Sequence, residues 1–325
     1  MKIIYKWAVA LSCILLWTSC NDEWKDEQYE QYISFVNCGV NKVYLKYNAE
    51  GGNKTYSIPI QLSGSTKVGK DVNVTVALDT DTLATYNDET YRLRTDLYYK
   101  ELDEQHYNFK SWSTTISDGK TKGYLDVDFN FAGLDNYDKY ILPLTIDESS
   151  DLRPNPVKHY RKSLMQIVLF NDYSGKYEMS SEVVEVGNEK EKLKVENRNS
   201  FVIDENTIFF FAGMVDESAL DRKDYRINVK FIKQNPDDTS GVLEMWADND
   251  AIDFKWEKAK CFFIIQEEMD AVQPYLKRRY LTMNVSYTYK DLANPAYPIT
   301  YKYEGTMIME RVLNILMPEE DQIMW

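Results

Sequence analysis

Stretches of the chain alternate apolar and polar residues with a period of two, and that period decides the fold class before any other feature. Tyr56, Ile58, Ile60 and Leu62 interleave with Ser57, Pro59 and Gln61. Val72, Val74, Val76 and Leu78 interleave with Asn73, Thr75 and Ala77, and Leu125, Val127, Phe129 and Phe131 with Asp126, Asp128 and Asn130. Tyr140, Leu142, Leu144 and Ile146 form a further set. Successive strand side chains point to opposite faces, so this pattern turns one apolar face inward and one polar face to water, as in antiparallel sheets. Pro59 and Pro143 cannot donate to a ladder, which predicts edge positions or bulges for them. Turns fit between the strands at Glu50-Gly51-Gly52-Asn53, Ser63-Gly64-Ser65 and Ser117-Asp118-Gly119-Lys120. Short strands with regular turns predict a β-sandwich. Residues 83–110 break the rhythm and read as a long connection with short helical turns that crosses between sheets.

A second series of strands follows Asn171-Asp172-Tyr173-Ser174-Gly175, taken as the boundary between two domains. Residues 177–186 and 193–196 predict a hairpin around Gly187-Asn188. Residues 207–212 are almost continuously apolar and predict a buried strand. Ile227, Val229 and Phe231 alternate, as do Leu281, Met283, Val285 and Tyr287, and Tyr301, Tyr303, Met307 and Met309 close the series. About eight to ten such strands suit a meandering barrel or a second sandwich. Residues 267–279, broken by Pro274, are read as holding a short helix.

The N-terminus carries an address. Lys2 and Lys6 precede an apolar run over residues 7–17, too short for a membrane span of roughly 20 residues and characteristic of a secretory signal. Thr18-Ser19-Cys20 resembles a bacterial lipobox, which implies that Cys20 becomes the acylated first residue of the mature protein. The pattern usually has Leu where this chain has Trp17, and an ordinary cleaved signal with Cys20 incidental is the alternative. Asn21-Asp22-Glu23-Trp24-Lys25-Asp26-Glu27 resembles the acidic export signal that follows the lipidated cysteine in surface lipoproteins of the Bacteroidota. A charge-rich segment of this kind also serves as a solvated tether.

The first domain has a family resemblance. Val43-Tyr44-Leu45, the stretch from Tyr56 through Leu62-Ser63-Gly64, Val72-Asn73-Val74-Thr75-Val76, Leu97-Tyr98-Tyr99 and Lys139-Tyr140-Ile141-Leu142-Pro143-Leu144 carry it. Together they resemble the immunoglobulin-like β-sandwich at the N-terminus of Bacteroidota surface lipoproteins and some secreted endo-glycosidases. Asp96-Leu97-Tyr98 lacks a proline that the family often has. The ending Tyr303-Glu304-Gly305-Thr306-Met307-Ile308-Met309-Glu310-Arg311, with Met317-Pro318-Glu319-Glu320-Asp321-Gln322, resembles the C-terminal β-domain often paired with that sandwich in glycan-utilisation loci. The expected organisation is therefore all-β: a signal peptide at 1–19, an acidic tether at 20–31, an Ig-like β-sandwich at 32–171, and a second antiparallel β-domain, barrel or sandwich, at 172–325.

Charge and motifs narrow the function. The chain holds 38 Lys and Arg against 52 Asp and Glu, and Lys2 and Lys6 leave with the signal. So acidic a surface argues against nucleic acid, which needs basic patches, and does not penalise neutral sugars. Cys38 and Cys261 show no zinc spacing and read as two separate thiols, a bridge between them being the alternative. His106 and His159 form no metal or catalytic motif, and no phosphate-binding loop or nucleophile elbow is present. Asp126/Asp128 and Asp237/Asp238 read as solvated surface pairs, and Asp248-Asn249-Asp250 as a turn without the spacing of a calcium loop. No metal or cofactor is expected.

The remaining chemical signal is aromatic, with 25 Tyr, 13 Phe and 7 Trp. Pyranose C–H faces stack on aromatic rings while nearby polar groups take the hydroxyls. Trp112, Trp246 and Trp256 are the candidate platforms, with Tyr98 and Tyr99 behind them. Aromatics also favour strands for packing alone. The expectation is a non-catalytic, lipid-anchored glycan-binding protein of the outer-membrane surface, holding oligo- or polysaccharide near an outer-membrane importer. The alternatives are an adhesion or assembly protein, or a glycosidase with an unrecognised site.

Overall fold

The computed structural model describes residues 27, 29–47, 53–294 and 296–317. Cys20, the lipobox, most of the acidic stretch, the turn at Gly51-Gly52 and the residues from Pro318 on lie outside them.

Alternating residues build two facing sheets in the first half. One consists of β1 (Ile33–Phe35), β3 (Lys54–Leu62), β8 (Lys122–Phe129) and β6 (Tyr107–Phe109), in the order β1-β3-β8-β6. The other runs β2-β10-β9-β4-β7, from β2 (Gly39–Lys46), β10 (Lys162–Phe170), β9 (Tyr140–Ile146), β4 (Val72–Leu78) and β7 (Ser113–Ile116), with β5 (Lys100–Glu101) beside β9. Ile58, Ile60, Val127 and Phe129 from the first sheet share one core with Val74, Val76, Leu142, Leu144 and Ile167 from the second. This is the expected sandwich. Asp126 and Asp128 lie on its outer face, where they accept from the hydroxyls of Ser57 and Thr55.

Three local expectations are corrected. Pro59 and Pro143 occupy neither edges nor bulges: β3 pairs with β1 and β8, and β9 with β4 and β10. Each sits opposite the first residue beyond a neighbouring strand's end, its carbonyl accepting from Val36 N or Asp79 N. The donor that proline lacks therefore points where the ladder has already stopped. Residues 83–110 do not begin as irregular connection, because α1 (Thr80–Tyr91) is a three-turn helix. Asp79 caps it by accepting from Thr82 N at 3.2 Å. Only Leu83 and Asn87 are buried on it, so it lacks the apolar stripe that marks a helix in sequence. Residues 29–31 with Glu27 are no free tether either, since the Glu27 carboxylate accepts from the backbone and hydroxyls of Ser65 and Thr66.

After a short helix, α2 (Lys158–Arg161), and β10, the chain builds a barrel. Its strands are β11 (Gly175–Glu185), β13 (Asn197–Asp204), β14 (Thr207–Phe211), β15 (Arg226–Ile232), β16 (Ser240–Ala247), β18 (Phe262–Met269), β19 (Leu276–Asp291) and β20 (Ile299–Asn314). All neighbours are antiparallel, and β20 closes the ring by pairing with both β19 and β11. An interior of eight strands is just wide enough for side chains to fill, here Tyr177, Phe210, Val229, Met245, Phe263, Met283, Tyr287 and Tyr303 among others. Closure leaves no ladder edge in the ring. β12 (Asn188–Lys194) hangs from β11 and β17 (Lys255–Trp256) from β19. No helix forms at 267–279, where β18 and β19 are a hairpin turning at 270–275. Asp248-Asn249-Asp250 is a turn, with Asn249 accepting from Ala251 N.

The barrel is the alternative chosen between barrel and sandwich. Cys38 packs against the sandwich core and Cys261 inside the barrel, and both are free thiols. The joint is polar, with Asn171, Ser174 and Arg311 buried in it. Asn171 Oδ1 accepts from Tyr173 N at 2.9 Å and Ser174 N at 2.8 Å, while its Nδ2 donates to the Asp204 carbonyl at 2.7 Å. Arg311 from β20 donates to the carbonyls of Asn171 and Ser174.

Candidate functional site

Where the sandwich meets the barrel, side chains from several elements converge on a cleft. The chain leaving α1 makes a tight turn through Asp96, Leu97 and Tyr98, the loop before β9 contributes Asn136, Tyr137 and Asp138, and β10 contributes Gln166 and Val168. The barrel supplies Phe201 from β13, Phe211 from β14, and Glu217 and Arg222 from the following loop. Phe209 and Phe211 point out of the barrel because Ile208, Phe210 and Ala212 point in. The apolar run at 207–212 is thus buried on both faces, by its own core and by the sandwich.

Polar contacts fix the two walls. The Arg222 side chain, 7% exposed, holds Asp96 Oδ2 at 3.2 Å and the Asp96 carbonyl at 2.9 Å, and its guanidinium lies 4.9 Å from the Tyr137 ring centre. Tyr137 packs edge-on against Phe211 at 6.1 Å. Asn136 Nδ2 donates to the Val202 carbonyl at 2.9 Å, Arg94 Nη2 to Ser218 O at 2.6 Å, and Arg226 pairs with Asp135 at 3.0 Å. The cleft between these contacts has a volume of about 110 Å³. That is below the roughly 300–1,000 Å³ of sites that enclose a small molecule, and suits the end or one residue of a larger ligand. A groove of 710 Å³ lies between the β11–β12 hairpin and β20, but lysines and glutamates line it and no ring does.

The electrostatics of the cleft are those of a fixed structure. Asp96 is held down to about 2, chiefly by the hydrogen bond from Arg94 and further by Arg222. Burial pushes Tyr137 up to about 12. Asp138 pairs with Lys100 and Glu217 accepts from Asn199. A general acid needs a raised carboxyl pKa, and Asp96 is shifted the opposite way. His106 is buried with Nδ1 against the Asn130 carbonyl, and His159 sits in α2 beside Tyr160. Among the described residues no group of His, Cys, Asp or Glu is arranged to hold a metal ion.

The five aromatics singled out in the sequence are not gathered at one place. Tyr98 lines the cleft, its hydroxyl donating to the Arg92 carbonyl at 2.7 Å. Tyr99 turns the other way, beneath α1, where Asn87 brackets its backbone with two hydrogen bonds and Tyr86 and Tyr91 lie within 6 Å. Trp246 is 39% exposed on the outer wall of β16. It stands in register with Asn228, Phe209 and Phe201, so three strand spacings, about 14 Å, separate it from the cleft. Trp112 lies on the sandwich with its ring 4.2 Å from Phe109, and Trp256 packs against the barrel core. Sequence reading missed Tyr137, Gln166, Phe201, Phe211 and Arg222. The unbroken run of β14 was the available signal, because a strand in a barrel with two apolar faces must be covered from outside.

Comparison with known proteins agrees with this architecture. A domain family of unknown function, DUF4973, matches residues 24–150, and a C-terminal domain family matches residues 161–308. A multidomain protein including DUF1735 from Bacteroides ovatus is 32% identical, with a TM-score of 0.78, over 90% of this chain and 100% of its own. Another B. ovatus protein, of unknown function, is 33% identical with a TM-score of 0.78, over 91% of this chain and 100% of its own. An auxiliary nutrient binding protein from Bacteroides thetaiotaomicron is 33% identical with a TM-score of 0.76, over 87% of this chain and 94% of its own. No curated protein matches the chain.

Proposed function

We propose that this chain, which belongs to the same family as the multidomain DUF1735 protein of B. ovatus and the auxiliary nutrient binding protein of B. thetaiotaomicron, is a non-catalytic glycan-binding lipoprotein of the cell surface. Acylated Cys20 holds it in the outer membrane, where it captures oligo- or polysaccharide for an uptake system. The observation that carries the reading is the cleft itself: Tyr98, Tyr137, Phe201 and Phe211 stand beside Gln166, Lys139 and Glu217. Tyr98 and Phe201 offer rings to sugar C–H faces and Lys139 and Glu217 offer polar groups to hydroxyls, while Phe211, 3% exposed, and Tyr137, with Arg222 and Lys223 over its ring, form the backing of the cleft. Trp246, three strands farther round the barrel, is a separate exposed ring that only a longer chain wrapping the barrel reaches.

Affinity electrophoresis of residues 21–325 against a broad panel of host and plant polysaccharides tests this. Binding to at least one is expected, weakened about tenfold by Tyr98→Ala or Trp246→Ala, in the range of an aromatic anchor. Retardation by none of the panel would refute the reading. A protein partner is the second reading, favoured by one observation. Ile232, Val242, Phe262 and Ile264 form an exposed apolar strip across β15, β16 and β18. Capture of one defined surface protein that Val242→Lys abolishes, with no glycan bound, would select it.

A further inference from the structure

Gln166 places an amide where its neighbours are apolar. On β10 the alternation turns Met165, Ile167 and Leu169 into the sandwich core, and Gln166 and Val168 to the opposite face. Along that face Leu164, and Ile141 opposite Gln166 on β9, pack with Leu83 beneath α1. Such surroundings would accept a leucine at 166. Gln166 is nonetheless 8% exposed and lines the cleft. Its Oε1 accepts from the Tyr99 hydroxyl at 3.5 Å, and burial, which raises the Tyr99 pKa, keeps that hydroxyl protonated. The amide nitrogen carries two hydrogens, and among the described residues Nε2 donates to no other group. A buried donor without an acceptor is rare in a folded protein and calls for a partner from outside the chain.

What stands around that donor limits the partner. Leu97, Val168 and Phe201 line the same cleft, each half-buried. Val168 follows Gln166 on one strand face, about 7 Å along. Arg94 and Arg222 are spent on Asp96 and on backbone carbonyls, and Asp138 on Lys100. Lys139 and Glu217 remain, one of each sign. Nothing in the cleft is arranged to hold an anion, so the acceptor that meets Nε2 is neutral. A hydroxyl is neutral but brings no apolar surface to Leu97, Val168 and Phe201. A carbonyl that carries a methyl meets both demands. The cleft volume of about 110 Å³ equals three to four waters at about 30 Å³ each, room for an acetyl group and the sugar carbon that bears it.

We infer that the cleft reads an acetyl group on a sugar: Gln166 Nε2 donates to the acetyl carbonyl, Leu97, Val168 and Phe201 pack against its methyl, and Tyr98 takes the face of the pyranose that carries it. The inference rests on the glycan-binding reading and names the class of glycan, one bearing acetamido or O-acetyl substituents. Carbonyl and methyl are common to the two. They differ in the acetamido N–H, which Glu217 can accept, since Asn199 engages its Oε1 and Oε2 remains to offer.

Magnetic resonance of residues 21–325 with isotope-labelled glutamine tests it. The side-chain amide signal missing from Gln166→Leu identifies Gln166. Titration with N-acetylglucosamine or glucose 6-acetate should shift that signal, and glucose at the same concentration should shift it less by about threefold or more. A larger shift with the first probe marks an acetamido sugar, and with the second an O-acetylated one. Gln166→Glu keeps the shape but replaces the donor by an acceptor, and should cut saturation transfer to the acetyl methyl by about fivefold or more. Gln166→Leu should lose that transfer while melting no lower than wild type, because its surroundings are apolar. An amide kept only for structure would instead cost stability and leave binding intact. No shift with either acetyl probe, an equal shift with glucose, or undiminished transfer in Gln166→Glu would overturn the inference. Retardation by a polysaccharide with Gln166 unshifted would remove the acetyl site and leave the glycan-binding reading standing. An acetyl-dependent shift with no polysaccharide retarded would keep the site and refute polysaccharide capture.

Discussion

Replacing Asn171 by Ala removes the side chain that fastens the sandwich to the barrel, and its cost can be worked from the contacts. The residue is 1% exposed. Its Oδ1 serves two buried N–H groups, those of Tyr173 and Ser174, at 2.9 and 2.8 Å. Its Nδ2 serves the carbonyls of Asp204 at 2.7 Å and Thr207 at 3.3 Å. A buried donor left without an acceptor costs about 1–3 kcal/mol. The two carbonyls add less, because Asp204 is exposed and the Thr207 contact is long. Water entering the vacated volume recovers part, which leaves a loss of about 3 kcal/mol. At about 2.1 cal/mol/K of unfolding entropy per residue, a chain of 325 residues loses about 5 °C of melting temperature. Scanning calorimetry with urea titration at neutral pH would measure it. Asn171→Asp should not rescue, since it keeps the acceptors but sets a carboxylate against two carbonyls. A melting temperature within about 2 °C of wild type for Asn171→Ala, or full rescue by Asp, would show that the joint is not held by these bonds.

Arg222→Ala should cost about 2 kcal/mol, from lost charged hydrogen bonds to the carbonyls of Asp96 and Ala219, and should widen the cleft; calorimetry and small-angle scattering would report both. Asp96 sits lowered to about 2 from an ordinary 3.8, so its stabilisation is complete above 3.8 and disappears as pH falls through about 2. An acid titration followed by near-ultraviolet dichroism should therefore be less steep in Asp96→Asn, and parallel curves would count against the assignment. Gly213 has φ +49°, and a Cβ there would lie 1.9 Å from Tyr289 Oη. Gly213→Ala should thus lower stability by at least about 2 kcal/mol in urea, and Tyr289→Phe should recover only part, because the ring itself also lies within 2.7 Å.

The strands were legible because their cores are one-sided. Val72, Val74 and Val76, or Leu125, Val127 and Phe129, had only one face to bury, and the alternation recorded it. Helix α1 was not legible, because only Leu83 and Asn87 are buried on it, with Tyr86 partly so, and its start depends on a cap at Asp79 rather than a periodic stripe. The prolines misled for a related reason. Sequence shows that Pro59 and Pro143 lack a donor, but not how long the neighbouring strand is. The candidate site divided the same way. Tyr98 and Trp246 could be named as rings, but that Tyr98 lines a cleft while Tyr99 packs beneath a helix follows from one peptide's change of direction.

Sequence by itself determined that this protein is built from antiparallel sheets, that it folds in two halves, and that its surface is acidic. Each of these is a sum or a short-range period, written in neighbouring residues. Only the tertiary structure decided that the second half closes into a barrel, because closure depends on β20 meeting β11 some 120 residues away in the chain. It also decided where the rings stand. Those facts arise from the angle at which two packed bodies meet, and the buried bonds of Asn171, Arg222 and Arg311 that set the angle join residues far apart in the chain.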